Sequence, residues 1–198
     1  EAVTKLAYQN ESTETLADVA PWKLEQKKNC IDKKCCFLHI ESNTPGLLAK
    51  IDGEKLQTVR IAMETAFEKF EYYTMANIGQ WSIVAIPTIP WAKKVFPDLD
   101  DEKALEKLWN AVLMSVRVSE SNDPIEEWKQ HNENLEHYCT LLNDYKFKSL
   151  HFKNSMGTDL KVELIRDHVW AAGSEIAKNG ARFNPNMPTE EAFTMPYK

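Results

Sequence analysis

From Cys35 to Glu41 the chain reads CCFLHIE, where Cys36, Leu38 and Ile40 alternate with Cys35, Phe37 and His39 until Asn43-Thr44-Pro45-Gly46 ends the run. A period of two over that length predicts a strand. Between Gly53 and Met75 the spacing changes: Leu56, Val59, Met63, Phe67 and Phe70 recur at helical intervals with charges between them, predicting one long amphipathic helix over 53–75. Trp81 to Ile86, WSIVAI, is a nearly continuous apolar run closed by Pro87, the pattern of a strand buried on both faces. Strand, helix and strand in that order imply a crossover connection, so the two strands are expected to lie parallel, with the 53–75 helix over one face.

Two further helical stripes follow. Leu105, Leu108, Trp109, Val112, Leu113 and Val116 trace the first, after Asp100-Asp101. The second is opened by Asp123-Pro124-Ile125-Glu126 and carried by Trp128, Leu135, Tyr138, Leu142 and Tyr145. Beyond Lys148 the period reverts to two, because Leu160, Val162 and Leu164 alternate with Asp159, Lys161 and Glu163. With SLHF at 149–152 and HVWAA at 168–172 this predicts an antiparallel meander, turning at Ser155-Met156-Gly157 and at Arg166-Asp167. The fold class expected is α/β, a parallel sheet flanked by helices, followed by the start of a β-rich antiparallel part. The change of period divides 1–148, an α/β domain, from 149–198, the beginning of a second domain. Residues 1–34 read as polar and peripheral, with a short helix near Ala20 to Lys28 started by Pro21.

Composition narrows the function classes. A hydrophobic content of 43% with only 6 Gly and 9 Pro in 198 residues can build a sizeable core, which excludes disordered and collagen-like chains. Thirty acidic against 24 basic side chains leave a net charge of −6, and Lys27-Lys28 and Lys33-Lys34 are short and interleaved, so nucleic acid is not the expected partner. No apolar run nears the roughly 18 residues of a membrane span, and EAVTKLAYQN has no hydrophobic signal core, so no membrane partner is expected. Cysteines at 30, 35, 36 and 139 match neither paired CxxC motifs nor a disulfide framework, which favours a reducing cytoplasm.

The simple catalytic signatures are missing: there is no nucleophile elbow, phosphate-cradling glycine loop or HExxH helix. Histidines at 39, 131, 137, 151 and 168 include no pair four apart, so no helical face offers two imidazoles to one metal. His39 and His151 fall in strands as hydrogen-bonded histidines, Cys35 and Cys36 point to opposite strand faces, and Trp91, Trp109 and Trp128 read as core. The stretch Asn184-Pro185-Asn186-Met187-Pro188-Thr189-Glu190-Glu191 differs, because two prolines and two asparagines stiffen a backbone that delivers two adjacent carboxylates. In an extended segment only one of the two can face a given site. The alternative is a helix start, with Thr189 as N-cap and both glutamates favouring the helix dipole.

NPNMPTEEAFT at 184–194 resembles the signature of the M29 metallo-aminopeptidases, the aminopeptidase T and aminopeptidase S group. Further blocks agree in order, among them Trp91-Ala92-Lys93-Lys94-Val95-Phe96-Pro97, Leu108-Trp109, Arg117-Val118, Asp123-Pro124, Trp128, His131-Asn132, Leu150-His151-Phe152 and Gly157-Thr158-Asp159-Leu160. The resemblance runs from about Pro21 to the end, and the first 20 residues match loosely. It implies a cytoplasmic exopeptidase that removes N-terminal residues from peptide substrates, is a homodimer at full length, and uses two divalent metal ions, zinc or cobalt, to activate water. The second glutamate of the TEE motif is a metal ligand in that family, which places the role on Glu191, with Glu190 its neighbour. The family's other ligands, a Glu, a Tyr, two His and an Asp, belong to a region beyond Lys198, and its opening strand-helix segment lies before Glu1. The 198-residue chain alone is therefore expected to be inactive. The alternative is a non-catalytic N-terminal module that shapes the substrate chamber or a dimer contact.

Overall fold

In the computed structural model, residues 1–188 are described. Three short helices, α1 (Ala2–Asn10), α2 (Thr13–Ala17) and α3 (Pro21–Asp32), precede the first strand, β1 (Phe37–Glu41). Only α3 had a signal in the sequence, Pro21 at its first turn. Helix α2 is capped by the Ser12 side chain, which accepts from Thr15 N at 3.2 Å, and α1 is fixed by contacts with later segments. The Glu1 carboxylate accepts from the backbone and hydroxyl of Thr44, both at 2.6 Å. Lys55 Nζ donates to the carbonyls of Tyr8 (2.8 Å) and Glu11 (2.6 Å), satisfying acceptors that the end of α1 leaves open.

The expected 53–75 helix is two helices, α4 (Gly53–Ala66) and α5 (Glu68–Met75), joined at Phe67, whose φ of −100° and ψ of 11° leave the helical region. Asp52 caps α4, its side chain accepting from Lys55 N at 2.9 Å. The break re-aims the apolar stripe. Val59 is buried from α4, while Phe70 and Tyr73 of α5 meet Phe37 edge-on, with centroids 4.8 and 6.1 Å away. Strand β2 (Trp81–Ala85) then lies parallel to β1, with Phe37 opposite Trp81 and Glu41 opposite Ala85. The crossover expected from the strand-helix-strand order is thus present, with α5 on the Phe37 face.

Residues of β2 are half-buried throughout rather than buried on both faces. The reason lies on the other side of the sheet, where Leu38 and Ile40 of β1 remain 62% and 54% exposed and a cavity separates the sheet from the next long helix. The chain continues through α6 (Ile89–Val95) and α7 (Asp101–Ser115), which pack closely because Ala92 and Ala104 have no exposed surface and Leu108 fills between them. Asp100 caps α7 through Lys103 N at 2.9 Å, and Asp123 caps α8 (Pro124–Tyr145) through Ile125 N at 2.9 Å. Helix α8 ends on Lys146 in the left-handed region, φ 50°.

The period-two segment forms an antiparallel hairpin, β3 (Ser149–Lys153) with β4 (Asp159–Glu163), in which Leu150 faces Val162 and Phe152 faces Leu160. Its turn is held by Asn154 Oδ1, which accepts from Met156 N and Thr158 N, and by Gly157 at φ 96°. The expected third strand at 168–172 does not form. Asn143 of α8 takes both polar groups of the Trp170 backbone, accepting its N–H at 2.8 Å and donating to its carbonyl at 3.0 Å, which satisfies that residue without a strand partner. Two-residue strands follow: β5 (Glu175–Ile176) pairs antiparallel with β6 (Arg182–Phe183), and β7 (Asn186–Met187) joins β2 in parallel. The parallel sheet therefore has the order β1-β2-β7, flanked by helices, with two small antiparallel sheets beside it. Among the described residues, no helix is long and apolar enough to cross a membrane.

Candidate functional site

Asn184 to Pro188 is held on three sides. Ile83 N donates to Pro185 O at 2.8 Å, and the register sets Ile83 against Asn186 and Val84 against Met187. The side-chain amides of Asn184 and Asn132 exchange two hydrogen bonds, 2.9 and 3.1 Å, tying the segment to α8. Asn184 Nδ2 also reaches Gly173 O at 3.4 Å. Prolines flanking the strand explain its length, since neither can donate to a ladder. Because β7 runs parallel to β1 and β2, it delivers the chain to the carboxyl edge of the sheet, where open α/β sheets place their ligand sites. At that edge Ile86 N donates to Glu41 O at 2.8 Å, and the Glu41 carboxylate accepts from Asn43 Nδ2 at 2.7 Å.

A cavity of about 990 Å³ lies toward the beginnings of β1 and β2, between the sheet and α8. Leu38, Ser82 and Trp128 supply its apolar and hydroxyl wall, and Asn132, Glu136 and Arg182 its polar one. Arg182 bridges Glu136 of α8 and donates to Ser174 Oγ at 2.7 Å. Trp128 is anchored by Nε1, which donates to Val116 O at 2.8 Å. Ser82 Oγ is buried without a hydrogen-bond partner among the described residues.

Glu191, the sequence candidate for a metal ligand, lies outside the described residues, as does Glu190. Among the described residues no group of three or more His, Cys, Asp or Glu side chains is arranged to hold a metal ion. His39 lies half-buried in β1. His151 of β3 pairs with Asp159 on the exposed hairpin at 2.5 Å. Trp109 is half-buried in α7, and Trp91 packs on the α6–α7 core. Residue order does not foretell the Asn132–Asn184 clasp or the Arg182–Glu136 bridge. Their partners stand 52 and 46 residues apart, and no local pattern announces either.

Residues 1–198 match the model of one protein family, described as thermophilic metalloprotease (M29). The chain belongs to the M29 metalloprotease family. Its relatives include Aminopeptidase 2 of Geobacillus stearothermophilus, 34% identical over the whole chain, and Aminopeptidase T of Thermus aquaticus, 34% identical over 91% of it. A solved structure of wild-type AmpT from Thermus thermophilus superposes with a TM-score of 0.82 at 29% identity, covering 96% of this chain and 46% of that one. This M29 chain spans about half the length of the relatives it matches, covering 48% of the Geobacillus protein and 44% of the Thermus aquaticus one.

Proposed function

We propose that this M29 chain acts as part of a metal-dependent aminopeptidase that removes N-terminal residues from peptides. The family match across residues 1–198, among relatives named as aminopeptidases, carries the reading. Within it, residues 1–148 serve as the α/β unit and 149–198 as the start of the metal-binding unit, with Glu191 as a metal ligand. The support for that residue is the likeness of Thr189-Glu190-Glu191 to the family signature, and β7 with its asparagine clasp ends at the carboxyl edge of the parallel sheet two residues before Thr189.

The described residues do not themselves fit a metal centre, because none of them cluster as ligands. Two divalent cations, zinc or cobalt, would supply a water nucleophile at neutral pH and polarise the scissile carbonyl. One carboxylate from this chain cannot retain such ions against water, so activity is assigned to a chain of family length, which is read as a cytoplasmic homodimer. The contribution of residues 1–188 is positional: they hold the NPNMP segment in register and fix its direction.

The test compares Glu191→Gln with Glu190→Gln in a protein of family length. Gln preserves size and one carbonyl oxygen but loses the charge that holds dications, so Glu191→Gln should abolish amino-acid anilide turnover and bound metal while leaving the melting temperature nearly unchanged. Glu190→Gln should cost no more than about 10- to 100-fold, as for groups that only support a ligand. Equal, small effects at both positions would favour the helix-cap reading and remove Glu191 from the site.

A further inference from the structure

Helix α3 ends in a tight turn that brings two cysteines together. Lys34 adopts φ 54°, Cys35 N donates to Cys30 O at 2.9 Å, and Lys34 N donates to Ile31 O at 2.9 Å. These two bonds close a Schellman motif, whose geometry sets the side chain three positions inside the helix end against the side chain that leaves the turn. Hydrophobic residues usually occupy those two places. Here they are Cys30 and Cys35, both half-buried free cysteines. A disulfide requires Cα atoms about 4.4 to 6.8 Å apart with converging Cβ atoms, and the hydrogen bond spanning the two residues enforces that kind of approach. Cys36, one residue on, is exposed, and its thiol donates to Gln80 Oε1 at 3.2 Å across the start of the sheet, away from Cys30.

We propose that Cys30 and Cys35 form a thiol-oxidation site, closed to an intramolecular disulfide by a peroxide. In the first step a thiolate sulfur of the pair attacks hydrogen peroxide; an S–O bond forms, the O–O bond breaks, and the departing hydroxide takes a proton to become water. In the second, the other thiol attacks that sulfenic sulfur; the S–S bond forms, the S–O bond breaks, and the hydroxyl leaves as water with the thiol proton. Two thiols lose two electrons and one peroxide becomes two waters. Partial burial, and then the adjacent Cys30 thiol, push the Cys35 thiol up, while Lys33 pulls the other way. Oxidation therefore accelerates as the pH rises through the thiol range. The product rivets the turn directly ahead of β1, where Tyr73 Oη donates to Cys35 O at 3.3 Å.

The chain supplies its own readout. Trypsin cuts after Lys28, Lys33, Lys34 and Lys50, so Cys30 lies on peptide Asn29–Lys33 and Cys35 on Cys35–Lys50. After hydrogen peroxide, denaturing alkylation and digestion, mass spectrometry should find these two peptides joined, separable by dithiothreitol, with Cys139 alkylated. Cys36→Ser should retain the link. Cys35→Ser should reduce it at least about tenfold, because Cys36 lacks the approach a disulfide needs. Chain oxidised in urea should lose the preference for Cys35 over Cys36. Full alkylation of Cys30 after peroxide, persistence of the link in Cys35→Ser, or the same selectivity in urea would each overturn the site.

Discussion

Gly79 offers a sharp test of the packing beneath the sheet. A Cβ placed there would stand 2.5 Å from Tyr73 Cε1 and 2.6 Å from its Cζ, inside any tolerable contact. The ring cannot simply swing aside. Tyr73 is 2% exposed, lies edge-on to Phe37, and its hydroxyl is tied to Cys35 O. Overpacking of this kind costs about 1 to 3 kcal/mol. Against it stands the loss of backbone freedom in the unfolded chain, which favours alanine by about 0.4 to 1 kcal/mol. The net expectation for Gly79→Ala is about 1.5 kcal/mol of destabilisation, or a melting temperature lower by about 3 to 6 °C for a chain of this size. Gly53→Ala is the control, because its Cβ meets nothing within 4 Å, and it should hold or slightly raise the melting temperature. Combining Gly79→Ala with Tyr73→Leu should cost less than the two singles together, by about 0.5 kcal/mol or more, since the leucine removes the obstructing ring. Calorimetry on the four variants decides it. A Gly79→Ala chain melting with wild type, or a strictly additive double mutant, would refute the argument that the ring sits where a Cβ must go.

Trp128→Phe keeps an aromatic ring on α8 but strands Val116 O, the acceptor of its indole N–H at 2.8 Å, and should cost about 1 to 3 kcal/mol in urea unfolding; a change within about 0.5 kcal/mol would show that bond to be dispensable. Hydrogen bonds from Lys103, backbone and then side chain, hold the Asp100 carboxyl below its usual range. A depressed carboxylate stabilises the fold above its ordinary range and loses that contribution as the pH falls through the folded value. Asp100→Asn, which still caps α7, should therefore melt lower than wild type at neutral pH, with the gap closing between about pH 5 and pH 2; a gap independent of pH would exclude the charge as its cause.

Much of this architecture is local and was readable in residue order. Alternation around Leu38 and around Val162, the apolar run at Trp81–Ile86, and the acidic cap at Asp123 each act within a few residues. The parallel pairing of β1 with β2 followed from the helical connection between them, because two strands so joined have few other topologies. The candidate metal ligand came from likeness to a family signature. Spacing alone left Glu190, Glu191 and a helix cap open.

Other features depended on partners far along the chain. Phe67 interrupts a sound helical stripe because Phe70 and Tyr73 gain more by turning onto Phe37, and no residue near 67 carries that information. The 168–172 segment has strand-like composition, but Asn143, 27 residues earlier, captures both polar groups of the Trp170 backbone. Asn186 and Met187 form a strand only because Ile83 and Val84 offer a free edge about a hundred residues upstream, and two residues between prolines have no period of their own. Short-range chemistry decides which segments become helix or strand. Which of them break, fail to pair, or carry the chain to the sheet's carboxyl edge is settled by burial and by the hydrogen-bond partners that only the folded chain brings within reach.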